Sequence, residues 1–418
     1  MMTNDVHGNN ASREAGPDAT AAAVDICING AGPVGATLAC RLATMGMRVL
    51  LLDRAALPGM EDPALDGRAY AISEGSRRML EAAGVWGCLP GPTQPINEIM
   101  VRDGRPGERP SSLSLDFGPQ DADGPFGWMV EARDLRMALN AALTRTEGLI
   151  LRAPDLGQFA FDDQHVTIRL ASGETWRAPL AVAAEGRNSA LRNQVKIPVT
   201  RLPYRQCGLI SVITHEKPHD GRALEHFLPQ GPFARLPLPG TREHPNRSAI
   251  VWAEGEERAR RFYGLPDDVF AREIAARLGG DDIGALEPIG RRWIYPLSAQ
   301  YAQRYTATRL VLAGDSAHGL HPIAGQGLNA GFKDIVALAD LLETAFLNGR
   351  DLGDASLLMQ YQRRARPTNM LMLAACDGLE RLFGNDNPLL RVARDAGLSA
   401  LNRMPRLRRA FVREAMGL

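Results

Sequence analysis

The apolar and polar positions of the chain change rhythm several times. Val24-Asp25-Ile26-Cys27-Ile28 is a short apolar run, and Pro33–Met45 follows with Ala, Leu and Cys on one helical face. Arg48–Leu52 is a second buried run that ends at Asp53. This order predicts a strand–helix–strand unit, which requires a parallel sheet. Residues 96–130 read differently. Gly, Pro and Ser punctuate short alternating runs such as Ser112–Phe117, the pattern of antiparallel strands. Glu131–Thr144 predicts a helix, and Leu149–Leu151, Val166–Leu170 and Leu180–Ala183 predict strands again. Residues 203–295 form a second strand-rich block, with one helix near Val269–Leu278. Leu310–Ala313 predicts a short buried strand, Gly327–Leu347 a long helix, and the sequence after Ala355 reads as helical.

Composition narrows the class of protein. The 48 basic and 48 acidic residues balance to a formal charge of zero, which argues against nucleic acid as a partner. The five cysteines, Cys27, Cys40, Cys88, Cys207 and Cys376, contain no Cys-x-x-Cys pair, so they read as free thiols in a reducing compartment. No metal site is expected. No apolar stretch reaches the roughly 18 residues of a transmembrane helix. Residues 1–20 are polar and lack the charged-then-apolar order of a secretory signal, so they read as a disordered leader. The expected location is cytoplasmic, or peripheral on the inner face of the cytoplasmic membrane.

Chemistry enters with two glycine-rich turns. In Gly30-Ala31-Gly32-Pro33-Val34-Gly35, Gly30 permits the turn and Gly32 lets backbone approach a pyrophosphate. Gly35 allows close helix–strand packing, and the helix N-terminus faces the phosphate charge. Asp53, 23 residues after Gly30, is placed to accept ribose hydroxyls, with Arg54 beside it. This motif alone does not separate FAD from NAD. The second turn runs Leu312-Ala313-Gly314-Asp315-Ser316-Ala317-His318, then Pro322, then Gly325-Gln326-Gly327-Leu328-Asn329 opening a helix. There an Asp just after a strand can hold ribitol hydroxyls, and a helix N-terminus can face the flavin pyrimidine edge.

With Asp66–Ser73, these stretches resemble the ubiquinone-biosynthesis hydroxylases of the group A FAD-dependent aromatic monooxygenases, of the 2-polyprenylphenol hydroxylase type. The resemblance runs from Val24 to Gly417. It implies an α/β fold with an FAD-binding Rossmann-type, p-hydroxybenzoate-hydroxylase-like domain, an inserted antiparallel-sheet substrate domain and a helical C-terminus. The expected division is an FAD-binding domain from residues 21–95, 131–200 and 296–350. A sheet domain takes 96–130 and 201–295, and a helical region takes 351–418.

The resemblance also implies roles. Arg68 lies beside the flavin ribitol, Asp315 holds its hydroxyls, and Gly325, Gly327, Leu328 and Asn329 line the ring. Glu185-Gly186 stands where the family usually has Asp-Gly, and Arg133 is a further cofactor contact. Arg68, His321 and Pro322 are the candidate catalytic residues. The implied reaction hydroxylates a polyprenylated phenol with O2, with NAD(P)H as electron donor. The C-terminal arginines, Arg363, Arg364 and Arg366 and then Arg403, Arg406, Arg408, Arg409 and Arg413, fit a helix resting on an anionic bilayer, an ordinary packed helix, or an interface within a ubiquinone-biosynthesis complex. Two rival readings stand beside this one: a monooxygenase for a small soluble aromatic compound, and a non-hydroxylating flavoprotein in a multi-protein assembly.

Overall fold

The computed structural model describes residues 21–62, 67–108, 115–321 and 325–383, with isolated positions between 404 and 417. Among these residues one sheet has the strand order Thr306–Ala307, Leu310–Leu312, Ala181–Ala183, Ile26–Asn29, Val49–Leu52, Leu149–Arg152. Every neighbouring pair is parallel except the edge hairpin of Thr306–Ala307 with Leu310–Leu312. Its central strands are mostly buried Val, Ile, Leu and Ala, with Cys27 among them, the composition of a parallel sheet covered on both faces. Helices Pro33–Thr44, Ala132–Arg145 and Gln326–Leu347 add their apolar stripes to the same core. Each large side chain buried there contributes about 1.5–3 kcal/mol.

The second large sheet is built from other segments. Its order is His318–Gly319, Leu286–Ala302, Val199–His215, Arg247–Gly255, Gly231–Leu238, Arg222–Leu228, Glu98–Asp103, Leu115–Phe117. Two 17-residue strands, Val199–His215 and Leu286–Ala302, pair along their length and connect the two cores. Val199 and Ala302 pack into the parallel-sheet core, whereas Leu209, Ile213 and Leu286 pack into the core of the antiparallel domain. Gly127–Glu131 does not join this sheet. It pairs with Ala69–Ser73 and Gln94–Ile96, because alternation marks a strand without naming its partner.

The two faces of the large sheet differ. Cys207, Leu209, Leu224, Leu228, Phe233, Ile250 and Trp252 pack against helices Glu256–Tyr263 and Asp267–Ala275. The first of these helices escapes a periodicity reading, since Ala259 and Phe262 are its only buried positions among charges. Alternation turns Gly208, Ile210, Glu225, Phe227, Ala234, Val251 and Ala253 to the opposite face. Helix Ala355–Phe383 crosses that face, stacking Phe383 on Phe227 with ring centroids 4.2 Å apart. Tyr204 donates to Asp377 at 3.1 Å and Gln206 to Glu380 at 2.7 Å.

The leader and most of residues 384–418 lie outside the described residues. Arg408 pairs with Asp121 at 2.6 Å and covers the Phe117 ring, so at that position the arginine is spent on packing. Among the described residues no helix is long and apolar enough to cross a membrane.

Candidate cofactor and active site

At the first turn, two glycines are dictated by space. Gly30 has φ +109°, and a Cβ there would lie 2.5 Å from the Ala184 carbonyl oxygen. A Cβ on Gly35 would lie 1.9 Å from the Gly30 oxygen. Gly32 is the opposite case, with nothing within 4 Å of where its Cβ would stand. It caps the Pro33–Thr44 helix without a side-chain cap or an acidic residue in the first turn. The first N–H groups are therefore left for an anion. Asp53 is committed to this loop: Oδ2 accepts the Ala31 N–H at 2.7 Å and Oδ1 the Ala55 N–H at 2.8 Å. Arg54 beside it is exposed.

A cavity of about 250 Å³ opens next to Pro33. Arg68, Tyr70, Arg133 and Arg136 line it, so three sequence-predicted positions, Pro33, Arg68 and Arg133, meet there. The Arg68 guanidinium lies between the Tyr70 and Tyr295 rings, 5.6 and 5.7 Å from their centroids. Arg133 donates to the Glu61 carbonyl at 3.1 Å. Arg136, which the sequence reading missed, donates to the Ala31 carbonyl at 2.6 Å. Its position one helical turn beyond Arg133 was the available signal.

The second turn is built from side chains. Asp334 accepts the Gly314 N–H at 2.9 Å, faces His318 Nε2 at 2.6 Å, and accepts from Asn369 at 2.8 Å. All three side chains are buried. Burial opposes charge on His318, but the Asp334 carboxylate outweighs it and raises the imidazole pKa. Asp315 stays half exposed and pairs with Arg187 at 3.0 Å. Gly325, at φ +63°, caps the Gln326–Leu347 helix, again with no side-chain cap and no acid in its first turn. Gly327 faces open space, as Gly32 does. Leu328 packs, half-buried, against the main core. Asn329 is spent elsewhere: its oxygen accepts from Ser73 N–H at 3.1 Å and Ser76 Oγ at 2.8 Å, and its amide donates to the Ala71 carbonyl at 2.9 Å. The two turns touch through Val34, whose Cγ2 lies where a Cβ on Gly314 or Gly331 would be 3.0 or 2.6 Å away.

Glu185 caps the short Ala190–Gln194 helix, accepting from Ser189 Oγ at 2.5 Å and from the Ala190 and Leu191 N–H groups at 3.2 Å. Gly186, at φ +81°, donates to Ser316 Oγ at 3.1 Å. Arg187 also reaches the Ser298 and Leu320 carbonyls, and the buried Arg192 donates to the Ser316 and Arg187 carbonyls. His321 is buried in an edge contact with Tyr204, centroids 4.7 Å apart, and among the described residues neither ring nitrogen has a hydrogen-bond partner. Burial first, and Arg187 second, push its pKa down to about 4, so it is neutral at pH 7. Pro322 lies outside the described residues.

These residues fit FAD. Two uncapped helix N-termini, each with a glycine open to solvent space, stand on either side of Val34, one matched to phosphate and one to a flavin edge. Joined to a mostly antiparallel sheet, in which only Glu98–Asp103 and Arg222–Leu228 pair in parallel among the described residues, they define a flavin-dependent aromatic monooxygenase. The chain matches the FAD binding domain family over residues 23–375. It is 42% identical over 394 residues, 94% of this chain and 89% of the relative, to ubiquinone hydroxylase UbiL of Rhodospirillum rubrum. It is 32% identical to 3-demethoxyubiquinol 3-hydroxylase of Escherichia coli, across 94% of this chain and 98% of that one. Among solved structures, PqsL of Pseudomonas aeruginosa, a probable FAD-dependent monooxygenase, shares the fold with a TM-score of 0.72 at 23% identity, covering 90% of this chain and 100% of its own. The chain belongs to the FAD-dependent hydroxylases of the ubiquinone-biosynthesis type.

Proposed function

We propose that this enzyme hydroxylates the aromatic ring of a polyprenylated phenol on the route to ubiquinone. The supporting observation is the match to ubiquinone hydroxylases along nearly the whole chain. FAD, when bound, carries electrons from NAD(P)H to O2 and delivers one oxygen atom to the ring. The protein supplies position and shelter. The helix N-termini capped by Gly32 and Gly325 would hold the two ends of the cofactor, and Asp315 would accept from its ribitol. Arg68, between Tyr70 and Tyr295, joins the cofactor cavity to the inner face of the large sheet. That face carries Gly208, Ile210, Ala234, Val251 and Ala253, an apolar lining suited to a ring and its tail. Contact with a membrane surface, or with other enzymes of the route, would deliver so apolar a substrate.

Disruption of the gene, followed by mass spectrometry of the quinone precursors, tests the reading. The expected result is accumulation of a prenylated phenol one oxygen short of the next intermediate. An unchanged quinone pool overturns the proposal.

A further inference from the structure

Between the inner face of the large sheet and helix Ala355–Phe383, most polar side chains have partners. Tyr204 holds Asp377, and Gln206 holds Glu380. Glu225 does not. It stands between Ala223 and Phe227 on Arg222–Leu228, opposite Ala234 on one neighbouring strand and Val101 on the other. Phe227 beside it packs on Phe383, Leu379 and Leu382. The side chain is half-buried and forms no hydrogen bond or ion pair among the described residues. A carboxyl group left in apolar surroundings without a partner is costly, and such groups are kept where a ligand completes them.

We propose that Glu225 is the catalytic base that receives the substrate's phenolic hydroxyl. This rests on the hydroxylase reading above and adds a residue to it. The phenol O–H bond breaks, the proton passes to a Glu225 carboxylate oxygen, and the electron pair remains on the phenolate, which enriches the ring for oxygen transfer. The proton returns to water when product leaves. Two further observations favour this assignment. Burial raises Glu225 to about 7, which suits a base working near neutrality. His321, packed on Tyr204 and without a hydrogen-bond partner among the described residues, is held near 4 and is the weaker base. Among the described residues few groups face Glu225. Ala234 and Val101 carry no charge, and the helix contributes the Cys376 thiol, raised to about 11 chiefly by burial and then by Glu225 itself. Asp377 and Glu380 follow on the same helix, each already hydrogen-bonded.

Glu225→Gln keeps the shape and removes the base. With a short-tailed prenylphenol, NAD(P)H and O2, the FAD-loaded variant is expected to form hydroxylated product roughly 100-fold more slowly or worse. FAD content and melting temperature should stay at wild-type values. The acid limb of the wild-type pH–rate profile, near 7, should vanish, and Glu225→Asp should restore part of it. A ring-fluorinated prenylphenol, already ionised at the assay pH, should bring wild type and Glu225→Gln to within about tenfold of each other. Equal rates on the ordinary phenol would overturn the proposal alone. So would a loss that the fluorinated phenol leaves untouched, since that marks a packing role. A wild type that reduces its FAD but hydroxylates no prenylated phenol would overturn the hydroxylase reading as well.

Discussion

The two cofactor turns do similar work by different means. The Gly30–Gly35 turn is almost pure backbone. Its shape follows from a positive φ at Gly30 and from contacts too close for any Cβ at Gly30 and Gly35. The Gly314–Asn329 region is held by a buried side-chain knot, in which Asp334 gathers Gly314, His318 and Asn369 while Asn329 ties the helix to Ser73 and Ser76. The backbone turn tolerates no added atom at Gly30 or Gly35, while Asp53 and Arg136 fasten it at Ala31 alone. A side-chain knot tolerates small shape changes yet depends on residues far apart in the chain.

The largest effect separating them is expected at Gly35. Gly35→Ala places a methyl 1.9 Å from a carbonyl oxygen, and a loss of more than about 4 kcal/mol follows, read as insoluble or FAD-free protein. At the knot, Asp334→Asn keeps the shape but removes the charge facing His318, at a cost of about 3–5 kcal/mol in urea unfolding. The same variant exposes a pH signature. His318 titrates above its ordinary value in the folded state, so the pair stabilises fully below the unfolded histidine range. That stability fades as pH rises through the raised folded value, and in Asp334→Asn this slope should disappear. Gly32→Ala sharpens the contrast. With nothing near its Cβ, the apoprotein should lose less than about 0.5 kcal/mol. FAD affinity, measured by fluorescence titration, should fall roughly 10- to 150-fold as charged hydrogen bonds worth about 1.5–3 kcal/mol are displaced. Smaller than the binding loss at Gly32 is the effect of Glu185→Ala, about 0.5–2 kcal/mol of stability from the lost helix cap. An accompanying drop in FAD affinity there would show that Glu185 reaches the cofactor as well.

This contrast also explains what the sequence disclosed. Helix Pro33–Thr44 and strand Val49–Leu52 lie within one residue of their expected ends, because both the glycine turn and the apolar runs are local signals. The long helix starts at Gln326, one residue before its expected start. Asp334 and His318 are 16 residues apart and Asn329 and Ser73 are 256 apart, so no spacing rule couples them. The motif resemblance places Asn329 along the flavin, yet its side chain is bonded to Ser73, Ser76 and Ala71 inside the protein. Glu185, read as a cofactor contact, shows a capping role that only the fold around Ser189 reveals. Arg187 and Arg192 stood in view inside a motif, but their roles depend on carbonyls more than 100 residues away.

The strand order of the parallel sheet has a consequence for synthesis. Ile26–Asn29 is flanked by Val49–Leu52 and by Ala181–Ala183, and the latter needs Leu310–Leu312 on its far side. A nascent chain therefore waits for close to three hundred further residues before its first strand lies in a finished sheet. At about 5–20 residues per second, that interval is roughly 15–60 s on the ribosome. During it the apolar strand edges are bare, the condition under which an incomplete sheet is most exposed to aggregation.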